Sequence, residues 1–293
     1  MKEYSKSLKV KSDFLKAVRN FLSENHGFIE INTPKISFMP TDQDEHLFKM
    51  NYFGKKAYLI QSPQFYKQAY VINGLSSVFE VAPVFRAESR ITKDHLSEFT
   101  SLDIESSEFK TLGDIIDFEK RLIQSATNEI SQNYDIEPIV TFEIITYKEA
   151  KKLLGLERDE PIRRNHEAKI ADLFSTDGVF IRDYPEDQRV FYYFSENGIS
   201  ESFDLIVKGL EVTSGGIRTN SYKELIRKMK KEGINHLLYK PYLDLFKGDV
   251  PIHGGFAIGI ERIIAKYLNI PDIIEVNPFS KKPNTLGECL LWK

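Results

Sequence analysis

Phe14, Val18, Phe21 and Leu22 recur at helical spacing and predict a helix over about 11–24. Asn25-His26-Gly27 closes it, since glycine takes positive φ readily. Residues 28–33 alternate as a strand does and stop at Pro34. A short strand is expected at 57–61 and a helix at 63–72. The strongly apolar stretch 78–86 reads as a strand, 87–97 as a polar segment and 99–104 as the returning strand. Together these predict an antiparallel hairpin with a long charged loop, which is uncommon unless functional. The clearest helix spans 113–133, where Ile115, Ile116, Phe118, Leu122, Ile123, Ala126 and Ile130 share one face. Strands follow at 179–183, 189–194 and 203–212, then a basic amphipathic helix at 221–232. A glycine-rich strand at 253–259 runs directly into a last helix at 259–268. Strands and helices mix without βαβ alternation, so the expected class is α+β with a largely antiparallel sheet flanked by helices. The polar segment 137–176 is open to reading as a small insertion. No repeat, low-complexity tract or linker divides the chain, so 1–293 is read as one domain.

Composition narrows the picture. The 293 residues carry 40 Lys+Arg against 43 Asp+Glu, a net charge of −3, with 41% hydrophobic and 28% charged residues. Such a chain can bury a core without staples. The lone Cys289 excludes an internal disulfide and a cysteine-based zinc site. No apolar run approaches the ~20 residues of a membrane span, and no secretory signal opens the chain; a cytoplasmic protein with no membrane partner is expected. Near-neutral charge argues against a nucleic-acid coat protein and leaves a local basic patch open. The phosphate-binding Gly-x-x-x-x-Gly-Lys loop, the Gly-x-Gly-x-x-Gly fingerprint, His-Glu-x-x-His and Gly-x-Ser-x-Gly are all missing.

Four constellations carry possible chemistry. In Phe85-Arg86-Ala87-Glu88, Arg86 and Glu88 share one strand face, the first suited to an anionic oxygen and the second to an amino group. An ordinary salt-bridged strand is the competing explanation. The loop then leads through His95 to Phe99, Asp103 and Glu105. In His253-Gly254-Gly255-Phe256-Ala257-Ile258-Gly259-Ile260-Glu261-Arg262, three glycines permit close backbone approach, and a guanidinium near a helix start can stack on a base. Packing is the commoner use of such glycines. In Gln61-Ser62-Pro63-Gln64-Phe65-Tyr66-Lys67, Gln64 and Lys67 share one helix face. Finally, Asp204 and Glu211 sit in or near one strand, ahead of Ser214-Gly215-Gly216-Ile217-Arg218. Oxygen ligands of this kind suit magnesium held with nucleotide phosphates; a solvated strand end is the alternative.

The order and wording of these segments resemble the catalytic domain of class II aminoacyl-tRNA synthetases of the aspartate/asparagine/lysine subgroup, over about 11–286. Ile31-Asn32-Thr33-Pro34 resembles motif 1, which builds a homodimer interface in that family. Residues 85–105 resemble motif 2, and 255–262 motif 3. The wording is most similar to archaeal and eukaryotic aspartyl enzymes, with Lys67 and Ser214-x-x-x-Arg218 as the informative positions. The resemblance implies ATP and Mg2+ as cofactors and aspartate as substrate. It implies that Arg86 grips the α-phosphate, Glu88 reads the adenine amino group, His95 touches the γ-phosphate, and Phe99 and Arg262 sandwich the adenine. Asp204 and Glu211 hold the metal. Lys67 and Arg218 face the substrate's side-chain carboxylate, and Ser62, Gln64, Asp103 and Ser214 line the rest of the aspartate pocket. Arg86 and Arg262 are the catalytic pair.

Departures from the family shape the expected function. No anticodon-binding barrel fits before the first helix. Asp42, Gln43 and Asp44 replace a glycine-containing specificity loop. Lys93-Asp94-His95 stands where an Arg-His pair is usual, and Asp94 is expected to repel tRNA phosphate. Phe279-Ser280-Lys281 replaces Phe-Pro-Arg. The expected function is therefore an aspartate-activating ligase that makes aspartyl-adenylate and passes the acyl group to ammonia or another small acceptor, with tRNA binding in doubt. The alternatives are a truncated aspartate(asparagine)-tRNA ligase, with phosphate contacts from Arg227, Lys228 and Lys230, and a non-catalytic regulatory paralogue.

Overall fold

The computed structural model describes residues 3–41, 46–88, 92–157, 159–277 and 279. Its strands are β1 (Ile29–Glu30), β2 (Ile36–Ser37), β3 (Lys49–Tyr52), β4 (Lys55–Leu59), β5 (Ser77–Phe85), β6 (Glu98–Ser106), β7 (Phe142–Thr146), β8 (Gly178–Pro185), β9 (Ser195–Glu196), β10 (Ile199–Val207), β11 (Leu210–Ile217) and β12 (Gly254–Gly259). Its helices are α1 (Glu3–Arg19), α2 (Gln64–Ile72), α3 (Leu112–Ser131), α4 (Tyr147–Leu154), α5 (Arg164–Asp172), α6 (Tyr222–Lys231), α7 (Lys240–Leu243) and α8 (Ile260–Tyr267). The main sheet runs β1-β5-β6-β12-β11-β10-β8-β7, with β9 beside β10; β2-β4-β3 form a small second sheet. Only the β1–β5 and β7–β8 pairs are parallel. The class is α+β, as the pattern predicted.

Strand alternation separates the core from the site. On β6, Leu102 and Ile104 point into the main core, where they meet Ile115 and Leu122 of α3 and Phe256 and Ile258 of β12. Phe99, Ser101, Asp103 and Glu105 therefore lie on the opposite face. Thr111 caps α3 in a reciprocal box with Asp114, which fixes where that helix begins against the sheet.

Two expectations change. The single strand expected at 203–212 is a hairpin: Lys208 and Gly209 both take positive φ (44° and 76°), turning β10 back as β11. Two successive positive-φ residues match the right-handed twist of the strands, and lysine is an unusual choice there, which hid the turn. Asp204 and Glu211 thus sit on neighbouring strands. Residues 189–194 form an irregular turn bridged at Tyr193 to Arg218, because Phe191 is drawn into an aromatic cluster with Phe65 and Tyr242. The segment 137–176 contributes β7 to the sheet edge and packs α4 and α5 against it.

Candidate active site

A cavity of about 300 Å³ opens on the face of β6 opposite the core. It gathers Ser62, Gln64, Lys67, Arg86, Glu88, His95, Phe99, Glu211, Ser214, Arg218 and Arg262, residues that span 200 positions of chain. Asp103 reaches it through Lys67. Asp42, Gln43 and Asp44 lie outside the described residues, as do Ser280 and Lys281.

One end of the cavity is built from buried charges. Arg218 donates Nε to Glu105 Oε1 at 2.9 Å and Nη2 to Oε2 at 3.1 Å. Lys67 Nζ lies 3.1 Å from Asp103 Oδ1 and 3.4 Å from Glu105 Oε2. Burial alone pushes the Glu105 carboxyl up, but Arg218 and then Lys67 outweigh it and hold it below the ordinary carboxylate range. Asp103 also accepts from Ser101 Oγ (2.6 Å) and Ser62 Oγ (3.4 Å). Arg218 Nη1 is buried with no hydrogen-bond partner among the described residues, a donor left for a ligand. Gln64 donates to Glu105 at 3.5 Å, and Ser214 pairs with the Tyr193 hydroxyl at 3.3 Å. Glu105, present in the motif but given no role by sequence reasoning, is the hub: its carboxylate partners both cations.

The glycines of β12 explain how Glu105 fits. A Cβ on Gly255 would lie 2.0 Å from Ile104 O and 2.5 Å from Glu105 Oε2. One on Gly254 would meet Ile115 Cδ1 at 2.6 Å. Two of the three glycines thus serve the protein's own packing. Gly259 is the exception, with nothing nearer than Arg262 Cδ at 3.6 Å.

The other end lies toward Phe99, four residues back along β6 from Asp103 and so roughly 13 Å away. The Arg86 guanidinium sits 5.6 Å from the Phe99 ring centre. Arg262 donates Nε to Asp94 O (3.2 Å) and Nη1 to Glu211 O (2.9 Å), bridging the β5–β6 loop to β11. Its position is set by the preceding Glu261, which accepts from Thr100 N (2.8 Å) and pairs with Lys11 (2.6 Å). Burial, and after it the Arg262 charge, lowers the His95 pKa, so its ring is predominantly neutral at pH 7. His95 Nδ1 is 2.7 Å from Thr92 Oγ1.

Asp204 and Glu211 line one cavity, and their oxygen donors are of the type that suits magnesium. Asp204 Oδ2 pairs with Arg189 Nη2 at 2.8 Å, while its buried Oδ1 has no hydrogen-bond partner among the described residues. Burial, then the charge of Asp204, pushes the Glu211 carboxyl up to about 7, against the opposing charges of Arg262 and Arg189. Among the described residues no three His, Cys, Asp or Glu converge as a self-sufficient metal cage, so phosphate oxygens would have to complete the shell. Arg189, which stacks on Tyr184 at 3.6 Å, was missed; its only signal was a strand pattern at 189–194 that the fold does not adopt.

Two sets of outlying charges are engaged within the chain. Asp94 is neutralised by Arg164, whose Nη2 lies 2.8 Å away. On α6, Arg227 and Lys231 pair with Glu186, and Lys228 is buried with Nζ donating to Tyr193 O. Lys223 and Lys230 of the same helix stay exposed.

This arrangement has clear relatives. The chain belongs to the class II tRNA synthetases of the D, K and N type, whose family profile matches residues 1–283. It is 35% identical to the aspartate–tRNA(Asp) ligase of Thermococcus kodakarensis, across 93% of this chain and 67% of the relative. It is 35% identical to the aspartate–tRNA(Asp/Asn) ligase of Thermus thermophilus, across 95% and 70%. Among solved structures, asparaginyl-tRNA synthetase from Pyrococcus horikoshii, complexed with asparaginyl-adenylate, matches with a TM-score of 0.90 and 27% identity, covering 96% of this chain and 69% of that one. The chain spans about two thirds of the length of these relatives. No described helix is long and apolar enough to cross a membrane.

Proposed function

We propose that the chain activates aspartate with ATP as aspartyl-adenylate, releasing diphosphate, and transfers the aspartyl group to tRNA. The observation that carries this is the charge balance at the Glu105 end. With Asp103 assigned to the substrate's amino group, Lys67 and Arg218 against Glu105 leave one net positive charge. That suits a side-chain carboxylate and disfavours a neutral amide. A side chain anchored there directs the α-carboxylate toward Arg86, which would grip the α-phosphate as the carboxylate oxygen attacks in line. Glu88 would read the adenine amino group, Phe99 and Arg262 would sandwich the ring, and His95 would meet the γ-phosphate. Asp204 and Glu211 would hold Mg2+, which neutralises phosphate charge when bound. Positioning and charge neutralisation suffice for this chemistry.

Transfer to ammonia, the acceptor first expected, is replaced by tRNA for two reasons. The relatives named above are aspartate–tRNA ligases, and asparagine synthesis would need the β-carboxylate at Arg86, where the proposed pocket would present the α-carboxylate. The exposed Ile29, Ile36 and Phe38 beside the motif 1 segment support a homodimer, which light scattering tests. For the function, aspartate-dependent exchange of diphosphate into ATP should be measurable, followed by aspartyl-tRNA formation with total tRNA. Exchange with asparagine alone, or asparagine formation from aspartate and ammonia without charged tRNA, would overturn the reading.

A further inference from the structure

The helix α5 belongs to the segment 137–176, which has no place in the motifs of the family. Its first residue, Arg164, touches three separate parts of the chain. Nη2 and Nε lie 2.8 and 3.2 Å from Asp94 Oδ2, in the loop that carries His95. Nη1 donates to Gly209 O at 2.7 Å, in the turn that leads into Glu211. Nη1 also lies 3.2 Å from Glu167 Oε2, one turn along the helix. That same Glu167 oxygen accepts the backbone N–H of Glu211 at 2.6 Å.

The docking is close because the turn demands it. Gly209 has φ +76°, and a Cβ there would lie 3.0 Å from Ala168 Cα on α5. Helix and turn therefore meet backbone to backbone. A second cavity of about 290 Å³ adjoins the first and shares Arg86, His95, Glu211 and Arg262 with it; Arg164 and Glu167 form its far wall. Asp94 is met by Nε and Nη2 while Gly209 O and Glu167 are met by Nη1, a spread of donors over the guanidinium plane that a single ammonium nitrogen does not offer.

We propose that Arg164, acting with Glu167, is a positioning residue for the triphosphate end of the site: it locks the loop bearing His95 to the strand bearing Glu211. The inference rests on the reading of this site as ATP-dependent. Arg164 acts through Asp94 and the Gly209 turn, so its loss displaces His95 and Glu211 while the Lys67–Arg218–Glu105 end, built on other elements, stays in place.

The test is steady-state aspartate-dependent diphosphate exchange with the full chain, comparing wild type, Arg164→Ala, Arg164→Lys and Asp94→Asn, with calorimetric titration of a non-hydrolysable ATP analogue plus Mg2+ on the same samples. Arg164→Ala should raise KM for ATP, and weaken analogue binding, by about tenfold or more, with KM for aspartate within about twofold. Arg164→Lys should fall between, and Asp94→Asn added to Arg164→Ala should cost less than the two separate effects combined. A lowered melting temperature with an unchanged ATP KM would mean a merely structural residue and would overturn the inference, as would equal rises in both KM values. If wild type binds the analogue but shows no exchange, the proposed function falls, and the binding titration still decides the role of Arg164. If wild type binds no ATP analogue, both fall.

Discussion

Arg218 and Glu105 meet fork to fork in the fully buried floor of the cavity, each guanidinium donor facing one carboxylate oxygen at 2.9 and 3.1 Å. The same carboxylate partners Lys67 at 3.4 Å. Glu105 thus stands between two buried cations, with Asp103 as a second partner for Lys67.

Removing that anion should be costly. Glu105→Gln leaves Arg218 without its carboxylate partner and Lys67 with Asp103, so it should destabilise the fold by about 3–5 kcal/mol. Arg218→Ala should raise KM for aspartate at least about a hundredfold while ATP affinity changes little, because the free Nη1 donor and the net charge disappear together. Thermal melts and diphosphate exchange measure the two effects. Unchanged aspartate affinity in Arg218→Ala would place the substrate carboxylate elsewhere.

Gly255→Ala tests the packing that accommodates Glu105. The added methyl would stand 2.0 Å from Ile104 O, a backbone atom that cannot step aside. A loss of about 3 kcal/mol is expected, with aspartate affinity falling alongside stability. Gly259→Ala is the control: its Cβ would meet only the Arg262 side chain at 3.6 Å or more, and stability should barely change.

Magnesium dependence should single out the carboxylate pair. Glu211→Gln removes one of the two oxygen donors, so half-maximal exchange should need roughly tenfold more Mg2+. Its effect on the melting temperature should be small or favourable, since the buried Asp204 loses a like charge beside it. Titrating exchange against Mg2+ settles this; an unaltered midpoint would remove Glu211 from the ion's shell.

Stability should also fall with rising pH through one group behind the site. Glu119 of α3 is fully buried, and burial pushes its carboxyl up to about 8, with the charge of Asp204 adding to the rise. A folded-state pKa above the unfolded value near 4.5 means the native state binds the extra proton between those values. Its contribution is therefore whole below about 4.5 and is lost as pH climbs through about 8. Melting temperatures of wild type should drop more steeply between pH 6 and 9 than those of Glu119→Gln, and parallel curves would refute the assignment.

Much of this was legible in the chain itself. Periodicity located α2, α3, α6, β5, β6, β12 and α8 within a few residues, because each has one strongly apolar face that admits a single period. Phe99 and Asp103 were picked out through the family resemblance, while Arg86 and Glu88, read as sharing a strand face, lie just past the end of β5. Periodicity failed at 203–212, where a Lys-Gly turn lies inside an unbroken apolar run, and at 189–194, where aromatic packing overrides strand alternation.

Sequence alone therefore determined the family and most of the elements, since those depend on local spacing and side-chain chemistry. Only the tertiary structure decided which charges are spent on one another. Glu105 engages both Lys67 and Arg218, Arg189 engages Asp204, Arg164 engages Asp94, and Glu186 engages Arg227 of α6. These pairs join residues 15 to 113 positions apart, and a charge's effect is set by its distance to the nearest opposite charge in space, which one-dimensional order does not contain.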